Sequence, residues 1–78
     1  MKATAIRIQF DHQEMENLRS MVLTHAIDSR DAEEIVTAFI AGRGYGVLLG
    51  AFKNIRSLAR NSDPVTFKKV VEAAAVCA

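Results

Sequence analysis

The chain has no tryptophan, and only one cysteine and one proline among its 78 residues. The single cysteine, Cys77, excludes an internal disulfide and provides no cluster of thiolates for a metal, and it fits a reducing compartment. No apolar run approaches the roughly 20 residues that span a membrane, and no charged leader with an apolar stretch opens the sequence. These absences predict a soluble, cytoplasmic protein that does not associate with membranes.

The sequence also lacks the short patterns that carry common catalytic and metal chemistry. No serine lies in a Gly-x-Ser-x-Gly setting, and neither His-Glu-x-x-His nor Cys-x-x-Cys occurs. His12 and His25 are thirteen residues apart on one predicted helix, too far for a shared metal. The glycine-rich stretch 42–46 is followed by Val47 where a dinucleotide fingerprint needs its last glycine, so a turn is favoured over a phosphate cradle. We predict a non-enzymatic protein with no metal, no cofactor and no small-molecule substrate.

The chain is rich in apolar aliphatic side chains and carries little net charge. Half of its residues are hydrophobic, which argues against disorder and favours closely packed helices. Its length suits one domain whose surface remains largely exposed. The net charge is −3 over residues 1–41 and +4 over residues 42–78. The two halves could attract each other within one fold, or the basic half could face an anionic partner.

Alternation of side chains predicts a strand at the start of the chain. Residues 3–10 alternate apolar and polar positions, which is typical of a half-buried strand. Such a strand needs a neighbour because unpaired backbone groups are costly when buried. No other segment shows a strand pattern, so we expect the neighbour to come from another chain, most simply a second copy. The alternative is an irregular arm packed across the helices.

Periodicity and capping residues predict four helices after that strand. Asp11 is a candidate cap for a helix over about residues 12–25. Asp28 is a candidate cap for a second helix that runs to about residue 41. Their inner faces are expected to bury apolar residues spaced three and four apart, namely Met15, Leu18, Met21 and Val22 on the first helix and Ala32, Ile35, Val36 and Phe39 on the second.

Glycine and proline divide the second half of the chain. Three glycines between positions 42 and 46 permit a sharp turn with positive φ angles. A third helix is expected over about 47–60, and a fourth from Pro64 to near the C-terminus, since proline favours the first turn of a helix. The fold class is therefore mainly α, with one short N-terminal strand followed by four helices in a small compact bundle.

A basic ridge on the third helix is the candidate partner-binding site. Lys53, Arg56 and Arg60 are spaced three and four residues apart, and Leu49 lies at the head of this ridge. A hydrophobe bordered by arginine is a plausible contact anchor, and the alternative is a snorkelling edge around the core. Leu23 also lies off its helical stripe. Several exposed apolar residues on a small protein favour an oligomer or a partner.

These observations predict a small protein-binding module that acts as an adaptor, an inhibitor or a regulator. It is expected to use a helical face and the N-terminal strand, and to form a homodimer. Its partner is then another protein or a second copy of the chain.

A resemblance supplies the alternative function. Residues 3–41 contain an alternating segment, a capped helix, a short loop and a second capped helix. In this order the stretch, about half of the chain, resembles the ribbon-helix-helix family of DNA-binding regulators. In that family two chains pair their N-terminal strands into an antiparallel ribbon, which reads bases in the major groove.

The resemblance implies roles for particular residues. Arg7 and Gln9 would be the base readers, together with Thr4, because arginine and glutamine suit guanine and adenine edges. Ser29 and Arg30, at the start of the second helix, would contact the DNA backbone. The alternative is therefore a DNA-binding transcriptional regulator.

Overall fold

Six elements follow one another in the part of the chain that the structure describes, residues 8–48, 50–61 and 63–77. The structure is a computed structural model. The elements are α1 (His12–His25), α2 (Ser29–Gly42), β1 (Tyr45–Val47), α3 (Ile55–Asn61), α4 (Pro64–Ala74) and β2 (Ala75–Cys77). The prediction of a mainly helical fold is confirmed, whereas the strands lie elsewhere than predicted.

Aspartate caps set the beginnings of the first two helices. The Asp11 carboxylate accepts a hydrogen bond from the Gln13 amide at 3.0 Å, and the Glu14 carboxylate accepts one from the Asp11 amide at 3.3 Å. The predicted cap at Asp11 is confirmed, and with Glu14 it forms a capping box. The Asp28 carboxylate accepts from the Asp31 amide at 2.9 Å at the start of α2. Because these signals are local, the predicted bounds of both helices agree with the structure to within one residue.

A third aspartate caps α4. The Asp63 carboxylate accepts a hydrogen bond from the Thr66 amide at 2.7 Å, and Pro64 occupies the first turn. The bonds from Thr66 stabilise the ionised carboxylate and lower the pKa of Asp63 below its ordinary value. The predicted beginning of the fourth helix at Pro64 is confirmed.

The third helix is shorter than predicted. It begins at Ile55 rather than near residue 47, because two features interrupt the chain between those positions. The Leu48 amide donates to the Ala74 carbonyl at 2.9 Å, which continues the pairing of β1 with the end of α4. Gly50 then adopts a positive φ of 74°, which a right-handed helix does not contain. Residues 51–54 form turns instead of helix.

The predicted positive φ angle in the glycine-rich turn occurs at one position. Gly44 has a φ of 85°, and its amide donates to the Ala41 carbonyl at 3.0 Å, so that α2 ends in a tight turn. The turn leads into β1 rather than directly into another helix.

Two short strands form a sheet that the sequence did not predict. β1 and β2 are antiparallel, with Tyr45 opposite Cys77, Gly46 opposite Val76 and Val47 opposite Ala75. Three-residue strands are too short to show an alternating pattern. The alanine-rich tail after α4 also continues a helical composition, so nothing local indicates where the helix ends.

The structure describes only the end of the expected N-terminal strand, and that part is not a strand. Residues 3–7 of the predicted segment lie outside the described residues, and 8–10 have no strand conformation. The Phe10 amide donates a hydrogen bond of 2.7 Å to the Glu72 carboxylate. Its ring packs edge-on against Phe39 and Tyr45, with centroids 5.5 Å and 6.0 Å apart. This end of the segment is therefore held by its own chain, as in the alternative of an irregular arm.

The core lies where the four helices meet. It contains apolar side chains from each helix, together with Phe10, Phe52 and Ala75. The helical members are Met15, Leu18 and Val22 of α1, Ala32, Val36 and Ile40 of α2, Ile55 and Ala59 of α3, and Phe67, Val71 and Ala74 of α4.

Candidate partner-binding surface

The outer face of α1 and the residues that follow it carry almost no charge. Between positions 17 and 27 the exposed residues are Asn17, Ser20, Met21, Leu23, Thr24, His25 and Ile27. Arg19 is the only Lys, Arg, Asp or Glu residue in this range, and it is partly buried. A helix face turned only to water normally displays charged side chains. This face, called here the α1 face, instead combines neutral polar groups with apolar ones.

Three large hydrophobic side chains of the α1 face are open to solvent. Met21 is 50% exposed, Leu23 45% and Ile27 81%. With 100° per residue, Met21 and Leu23 lie on opposite shoulders of α1, with Ser20 and Thr24 between them. The Met21 shoulder faces α2 and the Leu23 shoulder faces α3.

A groove runs between α1 and α2 beside Met21. It has a volume of about 590 Å³ and a largely apolar lining. The lining residues are Leu18 and Met21 of α1, Ile35, Ala38 and Phe39 of α2, and, as polar members, Glu14, Asn17 and Arg43. An open apolar groove between two helices is a typical binding site for a side chain or a helix of a partner.

The charged groups of this groove neutralise each other. The Arg43 guanidinium forms an ion pair with Glu14, and it lies over the ring of Phe39 at 4.9 Å from the centroid. Arg43 belongs to the basic half of the chain and Glu14 to the acidic half. This is one contact in which the two halves attract each other, the first of the two alternatives. The groove therefore presents no uncompensated charge to a partner.

Two predicted binding residues meet at the other shoulder of α1. Arg56 and Arg60 of α3 line a small pocket of about 110 Å³ together with Val22, Leu23 and Ala26. Arg56 is partly buried and Arg60 exposed. Two of the predicted arginines therefore border Leu23, whereas the hydrophobe predicted beside them is Leu49.

The remaining members of the predicted ridge are placed differently. Lys53 is exposed, but it lies in the turn before α3, so the prediction that it continues a helical ridge is wrong. The physical reason is the later beginning of α3. Leu49 lies outside the described residues.

The residues implied for DNA contact are separated into two regions. Gln9 lines a cavity of about 560 Å³ with Lys68 and Lys69 of α4. Ser29 and Arg30 are exposed at the start of α2, and Arg30 lines a different hollow, beside Glu33. Arg7 and Thr4 lie outside the described residues.

Sequence reasoning missed the α1–α2 groove because it assigned Met21, Ile35 and Phe39 to the core. The structure leaves Met21 half exposed and the other two partly exposed. Periodicity marks an apolar arc but not which part of it a neighbour covers. A clue was the lack of charge in α1 after Glu16, apart from Arg19.

Two further properties concern other kinds of site. Along the described ranges, no three His, Cys, Asp or Glu residues come together as metal ligands. None of the helices described is both long enough and apolar enough to cross a bilayer. Comparison with known protein families, curated proteins and solved structures found no match to this chain.

Proposed function

We propose that this chain is a small non-enzymatic protein-binding module, and that its docking surface is the α1 face with the adjoining α1–α2 groove. The observation that carries the proposal is the exposure of Met21, Leu23 and Ile27 on a face without exposed charged residues. The cores of protein interfaces are depleted of charge and enriched in methionine and other large apolar side chains. An adaptor, inhibitor or regulator would use such a face.

The groove supports one mode of binding in particular. Leu18, Met21 and Ile35 are among the residues that line it. A partner helix could place apolar residues spaced three and four apart into it, as in helix-in-groove recognition. Methionine suits this role because its unbranched side chain adapts to the shape of what it contacts.

The test compares two single substitutions on surfaces of matched exposure. Met21→Glu places a charge in the proposed docking surface. Val65→Glu places the same charge on α4, where Val65 is 53% exposed. Immobilised protein of each kind is used to capture partners from an extract of the source cells, and the captured proteins are quantified.

The unaltered chain and Val65→Glu should capture the same protein in equal amounts. Met21→Glu should capture at least about tenfold less of it, as expected at a binding hot spot. The captured protein is then titrated into isotope-labelled chain. Shifted amide resonances should concentrate in α1 and α2. Capture that is equal in both variants, or shifts confined to α4, would contradict the proposal.

DNA binding is a second candidate, and one arrangement favours it. Gln9 is exposed and lines one cavity with Lys68 and Lys69, together with Glu72, which pairs with Lys68. Phosphate contacts by lysine make binding strongly salt-dependent. If the chain is a DNA-binding regulator, duplex affinity should fall steeply with added salt and be lost in Arg7→Ala. Lys69→Gln should flatten the salt dependence. No binding at low salt would eliminate this candidate.

A further inference from the structure

Resting on the proposed function, we infer that the occupant of the α1 face is the α1 face of a second copy of this chain, packed antiparallel about a two-fold axis near Ser20. The α1 face is complementary to itself in charge, in hydrogen bonding and in shape.

Charge is the first part of this complementarity. Two copies of the α1 face can approach without desolvating an exposed Lys, Arg, Asp or Glu of α1 between Asn17 and His25. Burying an unpaired charge is expensive, so a face without one suits a partner that also lacks one. Glu14 and Arg43, at the groove, are already paired with each other, and Arg56 and Arg60 border the Leu23 shoulder.

Hydrogen bonding is the second part. Asn17 and Thr24 are seven residues apart, about 10.5 Å along the helix axis, and both are exposed. In an antiparallel pair centred near Ser20, Asn17 of each copy faces Thr24 of the other copy. Each side chain can both donate and accept, so both pairs can be satisfied. The small Ser20 at the centre allows the two helices to approach closely.

Shape is the third part. A two-fold axis perpendicular to both helices keeps the Met21 shoulders of the two copies on the same side. Each Met21 then projects towards the α1–α2 groove of the other copy, near Ile35. An isologous contact of this kind closes on itself and stops at two subunits.

The size of the surface determines what kind of dimer is expected. A 14-residue helix is about 21 Å long, and two adjacent helices are about 20 Å wide, which gives a flat area of about 400 Å². Stable interfaces bury about 800 Å² on each partner, roughly 15% of the 5322 Å² surface of this chain. This area, which covers α1 and the adjoining side of α2, therefore predicts a weak dimer that forms as the concentration rises.

The first measurement is sedimentation equilibrium of the purified chain from about 1 µM to about 1 mM. The mass should rise from monomer to dimer and no further. Met21→Glu should weaken the dimer at least about tenfold, and Val65→Glu should leave it unchanged. A monomer throughout, or a dimer equally affected by both substitutions, would overturn the inference.

The second measurement tests the orientation and does not depend on Met21→Glu folding. In a Cys77→Ser background, Asn17→Cys and Thr24→Cys proteins are mixed and oxidised with diamide. The mixed disulfide should exceed either symmetric one, and Thr66→Cys on α4 should cross-link poorly with either. Symmetric disulfides in excess, or equal cross-linking from Thr66→Cys, would overturn the antiparallel pair.

The two proposals fail separately. A chain that stays monomeric refutes the second copy as occupant. The protein-binding function is then tested by the capture experiment alone. If the unaltered chain captures a different protein and Met21→Glu does not, that function is still supported.

Discussion

The backbone amide of Phe10 donates a hydrogen bond of 2.7 Å to the carboxylate of Glu72, a residue 62 positions further along the chain. The same carboxylate oxygen lies 3.2 Å from the Lys68 ammonium. Glu72 thus connects the segment before α1 to α4. A partly buried backbone donor is satisfied without a neighbouring strand, so the described end of the N-terminal segment does not require a second chain.

This contact predicts a difference between two substitutions of Glu72. Glu72→Ala leaves the Phe10 amide without its acceptor, and the free energy of unfolding should fall by about 1–3 kcal/mol. Glu72→Gln keeps a carbonyl acceptor and loses only the attraction of Lys68, which should cost less than about 1 kcal/mol. Urea unfolding followed by circular dichroism measures both. Equal losses would mean that the hydrogen bond contributes nothing beyond the charge.

The end of α2 predicts opposite effects from two neighbouring glycines. Gly44→Ala forces a side chain into a backbone with a φ of 85°, so stability should fall by about 1–2 kcal/mol. Gly42→Ala should raise it by about 0.4–1 kcal/mol. Gly42 lies within the helix, and a methyl group there would meet nothing within 4 Å. Thermal unfolding of both variants tests the predicted turn, and destabilisation by Gly42→Ala would contradict it.

Local signals determine some boundaries of the helices, and contacts remote in sequence determine others. Helix beginnings were predictable at Asp11 and Asp28, because a cap and the amides that it binds lie within three residues of each other, and at Pro64, because proline favours the first turn of a helix. The beginning of α3 was not, since it depends on the pairing of Leu48 with Ala74, which are remote in sequence. Local patterns cannot report such pairing.

The candidate surface also has a part that the sequence indicated and a part that it did not. The sequence predicted a contact point of Arg56 and Arg60 with Leu49, and it marked Leu23 only as a residue off the apolar stripe of its helix. The exposure of Met21 was not predicted, because Met15 and Met21 lie on the same predicted stripe. Which of them the fold covers depends on how the helices pack against one another, and packing of that kind is set by contacts remote in sequence.

The cap of α4 predicts a pH dependence. The pKa of Asp63 is lower in the folded chain than its ordinary value, since the ionised carboxylate accepts hydrogen bonds from Thr66. The stabilisation is therefore fully present above the ordinary pKa and is lost as the pH falls through the lowered one. Asp63→Asn keeps a capping acceptor that does not titrate.

The measurement is the difference in unfolding free energy between the unaltered chain and Asp63→Asn, from neutral pH to about pH 2. That difference should favour the unaltered chain at neutral pH and shrink on acidification. Glu34→Gln, on the exposed side of α2, serves as the control for the general effect of removing a carboxylate. A difference that is constant with pH would show that the charge of Asp63 does not stabilise the cap.

Met15 and Met21 provide the sharpest test of the surface itself. Both lie on the predicted apolar stripe of α1, but Met15 is 1% exposed and Met21 is 50% exposed. Met15→Ala should lower the free energy of unfolding by about 2–5 kcal/mol, because it opens a cavity in the core. Met21→Ala should cost less than about 1 kcal/mol, since half of its side chain already meets water. Denaturant unfolding at low protein concentration keeps any dimer from contributing. Comparable losses would place Met21 in the core, and the α1 face would then lack its central apolar contact.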